Sequence, residues 1–209
     1  MTKLNGFGLG LAILALVAAI VGFQGQDSKI GVVDFSGIIE KCDFYKQNSD
    51  QLEQMKVVRE GLLEFLFTYK AATMEQATRL KELTVKDAPT AAEKTEMQQI
   101  KDAVMGSDKT WKELTLKSTH TADETQKLRE LASRRQATDE LIPRWQQEFE
   151  GELQSRFAKV RNDTIDRARE AINQVAKAQG YTVVLRSDVA PYGANDITDA
   201  ALKAMNAKK

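Results

Sequence analysis

The sequence predicts an α+β fold in which a long antiparallel, coiled-coil-like helical hairpin projects from a small β body built by the terminal strands. Three observations predict it. Apolar residues recur on alternating steps of three and four within residues 47–179, the seam spacing of a coiled coil. Short β-branched runs lie just outside that stretch at both ends. The chain of 209 residues carries only 12 glycines and three prolines against 29% charged side chains, a composition of long helices.

On the first leg Leu52, Met55, Leu62, Leu66, Tyr69, Leu80 and Leu83 keep the step, with Arg59, Thr73 and Gln76 as polar groups in the same seam. On the last leg Leu131, Ile142, Trp145 and Phe149 keep it. The register then slips by one step to Leu153, Phe157 and Val160, and continues through Ala168, Ile172 and Val175. Each seam must be buried, and the other seam is its nearest partner. The resulting hairpin returns the chain to its origin, where the end strands meet.

Composition narrows the function classes. Thirty basic and 30 acidic side chains, with a pI near 6.6, leave no global field to attract nucleic acid or an anionic membrane. Cys42 is the single cysteine and His120 the single histidine, which excludes an intrachain disulfide framework and leaves too few ligands for zinc. A hairpin that buries one stripe per helix is thin, so association of copies is expected to supplement its stability.

At the N-terminus, Lys3 precedes an apolar run from Phe7 to Phe23. Residues 1–25 therefore read as an export signal, or as an uncleaved membrane anchor through residues 7–23. Gly22 and Gly25 do not give a clean cleavage site, and no lipobox cysteine follows. Either reading places the rest of the chain outside the cytoplasm.

Residues 26–46 form the first part of the β body. Lys29-Ile-Gly-Val-Val-Asp34 is its strand, and Ser36 with Glu40 and Ile38-Ile39 suggests a short helix after it. The first arm then runs to about Lys86. Within it Gly61 to Phe67 is apolar on more than one face, which suits either a wide core stripe or a helix with two neighbours. A helical tip is expected over about residues 87–121. Pro89 and a Thr90…Glu93 capping box start one short helix, about 90–105; Gly106-Ser107-Asp108 ends it, Ser107 can cap a second, about 108–118, and Thr121…Glu124 opens the return arm. A plain hairpin turning at Gly106 is the competing layout.

Pro143 should kink the return arm, and Gly180 should end it with a left-handed cap. Residues 180–209 complete the body. Tyr181 to Arg186 is a strand, Val189 to Tyr192 is expected to pair back as an edge strand, and a last helix follows from Ala200 with Thr198 or Asp196 as its cap.

The residues at the two ends resemble the Skp (OmpH-like) family of periplasmic chaperones. Lys29 to Asp34 looks like the family's opening strand after a signal sequence. Val175-Ala-Lys-Ala-Gln-Gly-Tyr-Thr-Val-Val-Leu185 looks like its return from helix through glycine to strand, and Ala194 to Leu202 like its closing cap and helix. Between these segments the similarity is one of pattern. The resemblance implies a trimeric assembly, a homotrimer whose strands build a shared body. By the same resemblance Ile30, Val32, Val33, Tyr181, Val183, Val184 and Leu185 are the expected body residues. It implies ATP-independent holding of unfolded outer-membrane proteins, with no enzyme activity and no cofactor. Two departures stand out: Arg79 to Arg135 mixes basic and acidic residues almost evenly, and the extra helices make a bulkier tip.

The residues themselves add an inventory argument against catalysis. The lone cysteine and histidine lie in different elements, and helical carboxylates at this density form solvated faces with (i, i+4) partners. Asp188, Asp196 and Asp199 cluster near one loop, but helix capping accounts for two of them. No catalytic, cofactor-binding or metal residue is expected. Client contact is expected instead at Phe67, Met74, Met97, Met105 and Trp111, because methionine and aromatic side chains adapt to varied partners. Phe65 reads more readily as packing between helices. The alternative function is a membrane-tethered extracytoplasmic spacer or scaffold without clients, which would need no β body.

Overall fold

The computed structural model describes residues 29–193 and 195–207. The export signal or anchor expected over residues 1–25 lies outside the described residues. The described elements are β1 (Ile30–Val33), α1 (Phe35–Lys41), α2 (Asp43–Tyr69), α3 (Met74–Thr84), α4 (Ala91–Thr115), α5 (Ala122–Ala178), β2 (Val183–Arg186) and α6 (Thr198–Ala207). They fall into two compact units, one formed by Asp43–Thr164 and the other by the two ends of the chain.

In the unit of the chain ends, β1 and β2 pair in parallel, with Ile30 opposite Val183 and Val33 opposite Arg186. A parallel pair needs a long crossover, and here the crossover is most of the protein. On the other edge of β1, the Val32 N–H donates to the Asn195 carbonyl (2.8 Å) and the Ile197 N–H donates to the Val32 carbonyl (2.9 Å). The edge strand expected at Val189–Tyr192 does not form. The N–H groups of Val189 and Ala190 both donate to the Arg186 carbonyl at 3.0 Å, which turns the chain directly after β2. The chain forms backbone hydrogen bonds with β1 again at Asn195 and Ile197.

Caps fix the ends of these helices. The Asp34 carboxylate accepts the Gly37 N–H (2.9 Å) and caps α1. A Cβ on Gly37 would lie 2.2 Å from that carboxylate, so only glycine lets the cap close. The Asp34 N–H in turn donates to the Thr198 hydroxyl (2.8 Å), while Asp196 accepts the Thr198 N–H, tying α1 to the start of α6. At the end of α5, Gly180 has φ +73°, and Tyr181 N–H donates to the Ala176 carbonyl, closing a Schellman motif. Val33, Ile38, Cys42, Ala168, Ile197 and Met205 are buried together in this unit.

The helical unit departs from a single continuous first arm. A straight helix would separate Arg59 from Lys81 by about 33 Å at 1.5 Å per residue. Yet the Arg59 guanidinium lies 5.6 Å from the Phe149 ring and the Lys81 ammonium 5.7 Å from the same ring. The chain therefore reverses between α2 and α3. The reversal sits at Lys70, a non-glycine residue with φ +43°, followed by buried Ala71 and Ala72 and then a Thr73…Gln76 capping box. Thr73 and Gln76 act as a helix start rather than as seam residues.

From there α3 runs back along α2, and α4 reverses once more. Arg79 of α3 meets Glu96 of α4 at 2.7 and 2.9 Å, and Lys101 of α4 lies over the Phe65 ring of α2. Leu62, Leu66, Leu80, Val104, Trp145 and Phe149 share one core drawn from all four helices. Gly106-Ser107-Asp108 does not break α4. Ser107 donates to the Ala103 carbonyl instead of capping, and fully buried Val104 and Asp108 anchor the helix on both sides of the glycine. The expected Thr121…Glu124 box does open α5, with both reciprocal bonds formed. Pro143 lies inside α5, which is helical from Ala122 to Ala178.

Candidate functional site

The helical unit presents grooves and scattered apolar side chains. The larger groove, roughly 800 Å³, lies between α2 and the α3–α4 turn. Val57 and Val58 from α2, Val85 and Pro89 from the turn, and Met97 from α4 line it. Both valines of α2 are about half exposed. A second groove, about 680 Å³, is lined by α2 and α5 alone, where Leu52, Leu153 and Phe157 meet Tyr45 and Arg161. With no third helix there, Phe157 stays 49% exposed although it continues the seam.

Ion pairs tie the helices of this unit together. Arg59 is buried and bonds Glu152 from Nε and Nη2. Lys81 reaches Glu148, and Lys70 reaches Asp139 at 2.7 Å. Asp108 is buried between Arg135 (2.7 Å) and Lys112 (2.6 Å). Across the α3–α4 turn, the Lys86 ammonium beside Glu93, helped by the Thr90 N–H, pulls the Glu93 carboxyl down to about 2. Positive and negative groups alternate at short range, so little field extends into solvent.

The residues expected to touch clients fall into two groups. Phe67 (62%) and Met74 (45%) are exposed on either side of the α2–α3 reversal. Met97 is half-buried and packs against the common core, and Met105 is half-buried on α4. Trp111 is half-buried beneath the Arg135 guanidinium, 5.3 Å from its ring. Phe65 packs against the core, its ring 5.0 Å from that of Tyr69. Val57, Val58, Val85 and Leu116 were missed as exposed apolar residues. A signal existed for two of them: Val57 and Val58 lie off the Leu52–Met55–Arg59–Leu62 seam, so that seam cannot bury them.

Among the residues expected in the body, Val32 and Val33 are buried, whereas Tyr181, Val184 and Leu185 are half-buried. Ile30 (49%) and Val183 (46%) face outward side by side in register. The second edge of β2 pairs with no strand among the described residues. In the aspartate cluster, Asp188 is held by Arg186 (2.9 Å) and Asp196 by the Thr198 N–H. No group of side chains suited to a metal occurs among the described residues, and no described helix is long and apolar enough to cross a membrane.

Fold and surface define an α+β protein whose chain ends close a small parallel sheet and whose middle is a long helical excursion. The family model described as Outer membrane protein (OmpH-like) matches residues 29–205, and the chain belongs to that family. The family is one of periplasmic chaperones associated with outer-membrane proteins, not of enzymes. No individually curated protein matches the sequence.

Proposed function

We propose that this protein is an exported, ATP-independent holdase that binds unfolded outer-membrane proteins and keeps them from aggregating. The observation that carries the reading is the distribution of exposed apolar side chains in the helical unit: Val57, Val58, Phe67, Met74, Val85 and Phe157. An unfolded barrel strand presents alternating apolar side chains and open backbone. Many weak apolar contacts, each contributing about 25 cal/mol per Å² buried, retain such a chain without reading its sequence. Membership of a chaperone family supports the same reading. We assign its working form as a homotrimer joined through the open edge of β2 and the outward pair Ile30 and Val183, because a two-stranded sheet is marginal alone.

The test is direct. The purified protein should keep an urea-unfolded outer-membrane barrel protein soluble on dilution, without nucleotide. Aggregation at the rate seen without the protein overturns the assignment.

A further inference from the structure

Helix α3 is seated in the helical unit in a way that its own sequence does not require. The seam positions Leu62, Leu66, Tyr69, Thr73, Gln76, Leu80 and Leu83 keep an unbroken alternation of four and three across the α2–α3 reversal. A chain built to turn permanently there has no reason to keep helical phase through the turn. Residues 70–73, Lys-Ala-Ala-Thr, contain no glycine or proline, and two of the four are alanine, the best helix former. Lys70 nevertheless adopts φ +43°, a conformation that disfavours a lysine.

The burial of Ala71 and Ala72 and a small set of polar contacts keep the turn. The Thr73…Gln76 capping box starts α3 afresh, Lys70 is held by Asp139, and the Arg135 guanidinium reaches toward the Tyr69 carbonyl. Folded back in this way, α3 lays Ala77, Leu80 and Leu83 into the space between its neighbours, and Leu80 joins the core of Leu62, Leu66, Trp145 and Phe149. Its Lys81 lies 5.0 Å from the Trp145 ring and pairs with Glu148. An eleven-residue amphipathic segment of the same chain thus occupies an apolar seat.

We propose that α3 is a displaceable occupant of that seat, and that an apolar client segment takes its place while α3 joins α2 as one continuous helix. The inference rests on the holdase reading and names how its surface is regulated. Release gives up the capping box, the burial of Ala77, Leu80 and Leu83, and the ion pairs of Lys70 with Asp139, Arg79 with Glu96 and Lys81 with Glu148, so the start of α4 shifts with α3. It returns Lys70 to helical geometry and adds the four linking residues to the helix. The client restores the apolar burial that α3 leaves.

The experiment uses the full chain with Cys42→Ala, so that added thiols are the only ones. Lys81→Cys and Glu148→Cys are joined by a short reducible thiosulfonate linker. Locked protein should need at least about fivefold more protein to suppress barrel-protein aggregation, and reductant should restore the unlocked value. Equal holding before and after reduction overturns the proposal. A separate variant, Thr73→Ala with Gln76→Ala, carries spin labels on the exposed faces of α3 and α5. Loss of a cap of this kind shifts a two-state ratio about fivefold, so the longer label separation should gain population by that factor without any client. An unchanged distance distribution also overturns it. If the double-cysteine protein holds nothing even when reduced, the label distances of the capping variant decide. If the unsubstituted protein holds no barrel protein, the holdase reading fails, while the label distances still report on α3.

Discussion

Arg59 directs Nε and Nη2 at the same oxygen of Glu152, at 3.2 and 2.9 Å, from a position only 3% exposed. Its remaining amino group donates to the Met55 carbonyl, and its plane lies near the Phe149 ring. A charge that polar would be costly in an apolar seam if it were unpaired. Glu152→Ala leaves it so, and should lower stability by about 3 kcal/mol, the lower end for a broken buried pair because the carboxylate is partly solvated. Arg59→Met with Glu152→Met should recover most of that loss. Urea midpoints of the single and double variants measure both, and a single variant as stable as the parent would count against the pair.

Pro143 removes one backbone hydrogen bond from the interior of α5 and is itself exposed. Pro143→Ala should therefore raise stability, by up to about 3 kcal/mol. The melting temperature should rise accordingly; a fall would place a helix start at this residue.

Glu93 gives the turn between α3 and α4 a pH dependence of known sign. Its folded value, about 2, lies below the usual 4.5, first because of Lys86 and then because of the Thr90 N–H. The contribution is complete above about pH 4.5 and is lost as pH falls toward about 2. Melting curves of Glu93→Gln and the parent should differ at pH 6 and converge near pH 2. Curves that stay parallel across that range would remove Glu93 as the cause.

Assembly should depend on the paired chain ends. Sedimentation should give three times the monomer mass, and Ile30→Lys with Val183→Lys should give monomers that keep their helical content. Removing residues 180–209 should also abolish assembly. A monomeric parent would refute the trimer outright.

Holding should follow exposed apolar area more than charge. Phe67→Ser with Met74→Ser should weaken suppression of aggregation several-fold at unchanged oligomer mass, and Trp111→Ala should weaken it less, since Arg135 covers that ring. Moderate salt should change capture little. Steep salt dependence with both variants holding normally would move the mechanism to electrostatics.

Much of this fold was legible from residue spacing, and the misses have specific causes. Leu62, Leu66, Leu80, Leu131, Trp145 and Phe149 are buried as their seam positions implied. The α2–α3 reversal was hidden because nothing in Lys-Ala-Ala-Thr marks a turn, and because Thr73 and Gln76 fit the seam as well as they fit a capping box. Gly106 misled in the opposite direction. A helical glycine costs only about 1 kcal/mol, and the apolar burial of Val104 offsets it, while Arg135 and Lys112 compensate the buried Asp108. Near β1, the pairing of Asn195–Ile197 was missed in favour of Val189–Tyr192, whose β-branched and aromatic residues looked more strand-like. Local propensity could not reveal which segment would reach the free edge. The exposed faces of Phe67 and Met74 depend on where α3 folds back, so their accessibility could only follow from the reversal.

The parallel pairing of Ile30 with Val183 has a consequence for how the molecule is made. Synthesis releases β1 well before β2, so β1 must wait for all five helices between them before its ladder can form. The helices between them rest on nearer neighbours and can form earlier. A truncated chain that stops before Val183 can build helices but never this sheet. The sheet is thereby present only on molecules whose synthesis has passed β2.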